Sequence, residues 1–237
     1  MKDFIKGFKG GIPIGLGYIP VSFTFGFMAV SGGLPIWLAI FISMSNLTSS
    51  GQFAGTNLIL AGASYFEITI TTFIINIRYM LMSLSLSQKL KPGIGTFDRL
   101  LFSFGITDET FAVASMEKTD ISPAYMYGLI SFPYIGWTSG TIIGAYTTGI
   151  LPNVLKGAMG IALFAMFTAL IIPPAKHSKT IVYIVCISIA TTCMLKYIAF
   201  FKFVSPGFRI IISTFAGAGI GALLFPDNTT ERIDSDD

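Results

Sequence analysis

Three groups of polar residues interrupt long apolar stretches of this sequence, and these groups are the candidates for chemistry. The first is the small and polar stretch SMSNLTSSGQ at 43–52. Polar groups have no partners in hydrocarbon, whereas unwound backbone and helix ends can bind solutes or ions inside a membrane protein. We therefore predict a solute or ion site here, with close helix packing as the structural alternative. Its candidate substrate-binding residues are Asn46, Ser49, Ser50 and Gln52.

The second group is Arg78 with Asn76, inside the apolar run 66–87. A cation near the centre of a bilayer costs at least about 2.5–3.5 kcal/mol, so Arg78 should face protein or water and have a partner. Its planar fork of donors suits a carboxylate. Arg78 and Asn76 are thus further candidates for substrate binding, and the alternative is an ion pair with a carboxylate of the protein itself.

The third group is the adjacent pair Asp108 and Glu109, within the apolar run 99–115. Neighbouring carboxylates repel each other in a low dielectric, so one of them should hold its proton more tightly. Adjacent residues point about 100° apart on a helix, so at most one of them can face a given cavity. We predict a coupling or counter-ion role for the pair, and the alternative is that one carboxylate neutralises Arg78.

Other classes of site find little support. His177 is the only histidine, so the sequence offers neither a catalytic triad nor a zinc site, and no ATP-binding motif is present. We therefore expect no catalytic residues, no metal and no cofactor. Gly136, Gly140 and Gly144 recur every four residues, which lines one helix face with glycine and predicts a close helix contact, within this chain or with a partner.

The elements that must position these groups are membrane spans. The chain has 237 residues, of which 53% are hydrophobic and only 11% are charged, against about 25% charged in soluble domains. Its net charge of +3 is small and scattered, which argues against a nucleic-acid partner. About 20 apolar residues cross a bilayer as a helix. The apolar runs are 12–30, 36–63, 66–87, 99–115, 124–149, 155–173, 180–201 and 207–225.

Charge placement favours one topology for these runs. If the N-terminus is cytoplasmic and the run 36–63 does not cross, most lysines and arginines fall on the cytoplasmic side, while Lys118 and few others fall outside. We thus predict an all-α polytopic membrane protein with about seven transmembrane helices, a broken or re-entrant segment near 36–63 and an external C-terminus. The predicted parts are a cytoplasmic segment at 1–11, a transport domain at 12–225 and an acidic tail at 226–237. A short similarity between 26–35 and 144–152 hints at an internal repeat.

Four stretches occur in a familiar order: GGIPIGLGYIPVSFTFG at 10–26, SGQFA at 50–54, NIRYMLMS at 76–83 and TDETFA at 107–112. Together they resemble the AzlC family of branched-chain amino acid exporters, over roughly residues 4–225. The resemblance implies export of valine, leucine, isoleucine and analogues such as azaleucine, a small AzlD-like membrane subunit, and a place in the cytoplasmic (inner) membrane of a prokaryote. By the same resemblance, the functional positions of the family correspond to Gln52, Asn76, Arg78, Asp108 and Glu109.

The leading hypothesis is a secondary transporter, coupled to an ion or to protons. A zwitterionic amino acid needs a cation, an anion or carbonyls, and an apolar pocket; Arg78, Asp108 or Glu109, and phenylalanines around Phe53 and Phe111 would supply them. The alternative is a channel or a non-transporting membrane scaffold whose polar breaks mediate subunit assembly. An intramembrane enzyme using Asp108 is the third hypothesis.

Overall fold

The structure is a computed structural model that describes residues 1–149, 168, 171–172, 175–176, 178–201 and 203–225. Most of the predicted run 155–173 and the whole tail 226–237 lie outside the described residues. Within them the chain is helical, and its only β-type pairing is a single bridge between Leu90 and Ile121. The helices are α1 (Lys2–Ser31), α2 (Ile36–Ser45), α3 (Ser50–Leu60), α4 (Tyr65–Ser87), α5 (Thr96–Ser103), α6 (Asp108–Ser115), α7 (Pro123–Thr147), α8 (Lys179–Tyr197) and α9 (Pro206–Leu224).

Helices α1 and α7 form the central pair and run parallel. Gly7 near the start of α1 lies against the backbone of Tyr125, and Gly26 near its end lies against Ala145. α1 already begins at Lys2, so the predicted segment 1–11 forms its first turns. Glycine allows two helix backbones to approach closely because it has no side chain. The predicted glycine face of α7 lies in this contact: Gly136 against Gly15, Gly140 against Ile19 and Ser22, and Gly144 against Phe23.

The run 36–63 forms a hairpin of two short helices, α2 and α3, rather than one span. The helices break at 46–49, and Ser49 adopts a left-handed backbone with φ of 45°. α2 starts just after the turn that ends α1, and α3 returns so that Leu60 packs onto Gly32 at that same end. Both outer ends of this hairpin therefore lie beside the C-terminal end of α1, as a re-entrant segment requires. We call α2 and α3 the first hairpin.

The run 99–115 does not form a span, and the prediction that it crosses is wrong. It divides into α5 and α6, each of eight residues, or about 12 Å of helix. α5 follows α7 inward, since Tyr127 donates to Asp98 and Phe104 contacts Tyr134. α6 then returns along α1 until Glu117 pairs with Lys6 at 2.5 Å. We call α5 and α6 the second hairpin; its outer ends lie at the N-terminal end of α1.

This second hairpin changes the side assigned to one loop. The loop after α6 meets the loop after α4, where the Lys91 N–H donates to the Ile121 carbonyl at 3.0 Å. The same loop reaches the N-terminus, since Ser122 donates to Asp3 at 2.7 Å. Lys118 therefore lies on the N-terminal face, not on the opposite face as we predicted. The error arose because an apolar run with a central break was counted as one crossing.

The contacts divide the chain into two compact units. The first holds Met1–Ser64 and Thr72–Phe164, and the second holds Tyr65–Thr71 with Ala165–Asp237. Within the second unit, Glu67 accepts hydrogen bonds from the Ser205 hydroxyl and the Gly207 N–H, at the start of α9. In the described part of the chain, four helices are long and apolar enough to cross a membrane: α1, α4, α8 and α9. The predicted number of about seven crossings is therefore not confirmed.

Candidate functional site

The breaks of the two hairpins meet at Arg78, which lies midway along α4. Its guanidinium Nη1 pairs with Asp108 Oδ2 at 2.9 Å, at the start of α6 in the second hairpin. Its Nη2 donates to Ser50 Oγ at 3.2 Å, at the start of α3 in the first hairpin. One side chain thus bridges the first residues of two short helices that arrive from opposite faces of the first unit. The sequence left open whether Arg78 meets Asp108 or Glu109, and in the structure it meets Asp108.

Tyr79 completes the contacts of this cation. Its ring lies 5.1 Å from the Arg78 guanidinium carbon, which allows a cation–π contact. Its hydroxyl accepts from Nη2 at 3.4 Å and donates to the Thr48 carbonyl at 3.1 Å. The second bond adds to the one that the Thr48 carbonyl already accepts from the Gly51 N–H at 3.2 Å, so Tyr79 ties α4 to the break of the first hairpin. Arg78 and Asp108 each keep more than two fifths of their side chains exposed, so the pair is accessible to a solute.

The electrostatics of this centre favour an anion. The first N–H groups of a helix have no intrahelical acceptors, and the helix dipole adds partial positive charge there. The starts of α3 and α6 both face Arg78, which adds a full positive charge. Asp108, the first residue of α6, supplies the carboxylate that pairs with Arg78 at 2.9 Å.

Glu109 is held separately from Asp108. The Tyr18 hydroxyl donates to Glu109 Oε2 at 2.5 Å and lies 2.7 Å from Thr107 Oγ1. Thr107 is the N-cap of α6, and its hydroxyl accepts from the Thr110 N–H. Tyr18 is 8% exposed. Sequence reasoning missed this residue, although a tyrosine in an apolar span signals a hydroxyl that needs a partner.

Gln52 lies in a closed polar network rather than beside Arg78. Its amide nitrogen donates to Ser43 at 3.0 Å, and its amide oxygen accepts from the Trp137 ring N–H at 3.2 Å. Ser43 also shares a 2.6 Å hydrogen bond with Thr141. Gln52 is only 2% exposed. These bonds join both arms of the first hairpin to α7, so the geometry fits Gln52 better as a residue that fixes the hairpin than as a direct ligand of a solute.

The remaining predicted residues lie in or next to the break of the first hairpin. Asn46 accepts from the Thr48 hydroxyl at 2.5 Å, and Ser49 is the N-cap position of α3. Asn76 lies against Gly51, where an added side chain would collide with its amide. The Asn76 side-chain oxygen is buried and has no hydrogen-bond partner among the described residues. It is therefore an available acceptor two residues before Arg78 on α4. No group of three or more metal-ligating side chains occurs in the described part of the chain.

An apolar cavity of about 410 Å³ lies on the α7 side of both breaks. Met44 from the first hairpin and Phe104 and Gly105 from the second line it, together with Tyr127, Ile130, Ser131 and Tyr134 of α7. Its volume is in the range of small-molecule sites, about 300–1,000 Å³. By contrast Phe53, one of the two predicted pocket phenylalanines, is buried edge-on against Phe25. Phe111 packs against the core of the second hairpin.

Comparison with known proteins places these residues in a family. The family model described as AzlC protein matches residues 13–151, which include Arg78, Asp108 and Glu109. Inner membrane protein YgaZ of Escherichia coli (strain K12) is 28% identical over 75% of this chain and 76% of its own. An uncharacterized membrane protein of Archaeoglobus fulgidus is 32% identical over 73% of this chain and 76% of its own.

A more distant relative carries a functional name. The branched-chain amino acid transport protein AzlC of Bacillus subtilis (strain 168) is 24% identical over 65% of this chain and 59% of its own. No solved structure matches the chain. The relatives named as membrane proteins agree with the apolar helices of the structure, and the family resemblance of the sequence is confirmed. The chain is a multi-pass membrane protein that belongs to the AzlC family.

Proposed function

We propose that this protein is a secondary transporter that exports branched-chain amino acids across the cytoplasmic membrane. Valine, leucine, isoleucine and analogues such as azaleucine are the substrates, and the protein works together with a small AzlD-like membrane subunit. Transport is driven by coupling to an ion or to protons. The relative in Bacillus subtilis is named as a branched-chain amino acid transport protein, which supports the substrate class.

The observation that carries the proposal is the position of Arg78 between two half-helix starts. In transporters, discontinuous helices place their positive N-terminal ends on anionic groups of the substrate near the middle of the membrane. Here α3 and α6 begin at Ser50 and Asp108, and both residues contact Arg78. An amino acid binds with its carboxylate on Arg78 and its ammonium on the released Asp108. The apolar cavity beside the breaks receives its aliphatic side chain.

The orientation follows from the positively charged residues of the first unit. The N-terminal face carries Lys2, Lys6, Lys9, Lys89, Lys91, Arg99 and Lys118. Cytoplasmic loops are rich in lysine and arginine. The N-terminal face is therefore cytoplasmic in our proposal, and the second hairpin enters from the cytoplasm while the first enters from outside. An external C-terminus and the domain bounds 12–225 stay predictions.

Flux of labelled valine and leucine in proteoliposomes tests the function, with and without a pH gradient and the small subunit. Saturable flux driven by a gradient is the expected result. Passive flux that does not saturate would instead indicate a channel. Absence of flux even with the small subunit would indicate a scaffold, in which the polar breaks serve assembly.

A further inference from the structure

We propose that the two adjacent carboxylates have different tasks, and that Glu109 is the group that binds the coupling proton. Tyr18 and Thr107 are positioning residues that hold its carboxylate. This inference rests on the proposed transport function and names the coupling group that the proposed function leaves open. Asp108, in contrast, belongs to substrate binding through its pair with Arg78.

The first step in the argument is the difference in charge compensation. Asp108 has a cation at 2.9 Å, so its negative charge is neutralised in place. Glu109 forms no ion pair among the described residues, and its closest polar contact is the neutral Tyr18 hydroxyl. A buried or half-buried carboxylate without a cation is the one that gains most from taking up a proton.

The groups around Glu109 come from three elements. Tyr18 faces it from α1, Arg78 and Tyr79 contribute from α4, and Asp108 and Thr107 are its neighbours on α6. A substrate whose carboxylate takes over Arg78 and whose ammonium binds Asp108 separates Asp108 from Arg78. Asp108 is the first residue of the helix that carries Glu109. Substrate binding and proton binding are thereby linked through the start of α6.

The hydrogen-bond geometry accommodates both states of Glu109. When its carboxylate is charged, the Tyr18 O–H donates to Oε2. When a proton from water forms an O–H bond on Glu109, the carboxylic acid donates to the Tyr18 oxygen, and the Tyr18 hydrogen turns to Thr107 Oγ1 at 2.7 Å. The reverse exchange returns the proton to water. The exchange itself moves only hydrogens, and no electrons are transferred.

Thr107 connects this exchange to the substrate centre. Its hydroxyl caps α6 by accepting from the Thr110 N–H, and Asp108 is the first residue of that helix. When the Thr107 hydroxyl also accepts a hydrogen bond from Tyr18, it becomes a weaker acceptor for the Thr110 N–H that it caps. Proton binding on Glu109 therefore loosens the helix start that presents Asp108 to Arg78.

The test measures valine and proton movement together in proteoliposomes that contain a pH-sensitive dye. In the wild type, a valine gradient should drive proton movement. Glu109→Gln should retain valine exchange between labelled and unlabelled pools, because Arg78 and Asp108 are intact. Its rate of valine-driven proton movement should fall at least about tenfold. Tyr18→Phe should remain coupled, but the pH midpoint of valine flux should rise because the donor that stabilises the charged carboxylate is gone. Tyr146→Phe, an exposed tyrosine at the end of α7, is the matched control and should leave the midpoint unchanged.

The outcomes separate this inference from the proposed function. Valine flux with undiminished proton movement in Glu109→Gln would overturn the inference and leave the transport function in place. Valine flux in the wild type that is not accompanied by proton movement would also overturn the inference and leave the transport function in place. Lack of any valine flux in the wild type would overturn the proposed function itself. If Glu109→Gln does not fold, Tyr18→Phe decides, since an unchanged pH midpoint contradicts the assignment of Glu109.

Discussion

Replacement of Arg78 by lysine keeps the positive charge of the centre but removes the planar guanidinium, which can donate to two partners at once. The guanidinium contacts Asp108 through Nη1 and Ser50 through Nη2, which a single ammonium on a flexible stem cannot reproduce together. A hydrogen bond to a charged group contributes about 1.5–3 kcal/mol, and each 1.4 kcal/mol changes affinity about tenfold. The side chain is 43% exposed, so water competes and the lower value applies.

For Arg78→Lys we therefore expect the half-saturating valine concentration in proteoliposomes to rise about tenfold, for the loss of one bond of about 1.5 kcal/mol. Arg78→Ala loses the charge as well, at a cost of about 3 kcal/mol, and should raise the half-saturating valine concentration about 100-fold. Arg99→Lys is the matched control, because Arg99 lies at the start of α5 and its side chain donates only to the Ile94 carbonyl in the described structure. Thermal unfolding in detergent checks that all variants fold. A folded Arg78→Lys protein with the same half-saturating valine concentration as the wild type would refute the role of Arg78 in binding the substrate carboxylate.

Three further predictions concern packing, topology and the side-chain cavity. Gly140→Leu should lower the unfolding temperature in detergent, because its side chain would enter the backbone of α1, whereas Gly17→Leu, with nothing within 4 Å, should not. A cysteine at Lys118, after both native cysteines are replaced, should resist an impermeant thiol reagent in intact cells and react in inverted vesicles; labelling in intact cells would contradict the proposed cytoplasmic position of the loop after α6. Ile130→Trp should fill part of the apolar cavity and weaken leucine transport more than valine transport; an equal loss for both would place the substrate side chain elsewhere.

The sequence was sufficient to locate the polar centre but not to arrange it. Arg78, Ser50 and Asp108 were each identified because a charge or a polar run in an apolar segment is costly and needs a partner. Their mutual contacts depend on how the two hairpins are placed against α1 and α7, which no spacing along the chain encodes. The division of roles between Asp108 and Glu109 also depends on Tyr18, which lies 91 residues before Glu109 in the sequence.

The helix breaks show the same limit. The stretch 43–52 is polar enough to exclude a lipid-facing span, so the first hairpin was predicted. The second break contains only Phe104, Gly105, Ile106 and Thr107 between two apolar segments. Hydropathy alone therefore does not distinguish the run 99–115 from a continuous span. Thr107 as an N-cap before Asp108 and Glu109 is the signal that could have divided it, because acidic residues favour the first turn of a helix.

The breaks of the two hairpins meet at one centre inside the first unit. Each hairpin enters and leaves on one face, and their breaks are joined by Arg78. Tyr134 adds a second link on the α7 side, since its hydroxyl donates to the Met44 carbonyl and its ring contacts Phe104. A movement of either hairpin would therefore break contacts at the centre.

Binding of valine and of valinamide to the purified protein in lipid tests the central claim most directly. Valinamide keeps the ammonium group and the aliphatic side chain but lacks the carboxylate. If Arg78 and the two half-helix starts bind a carboxylate, valine should bind at least about tenfold more tightly than valinamide, and Arg78→Lys should reduce that difference. Equal affinity for the two compounds in the wild-type protein would contradict the account.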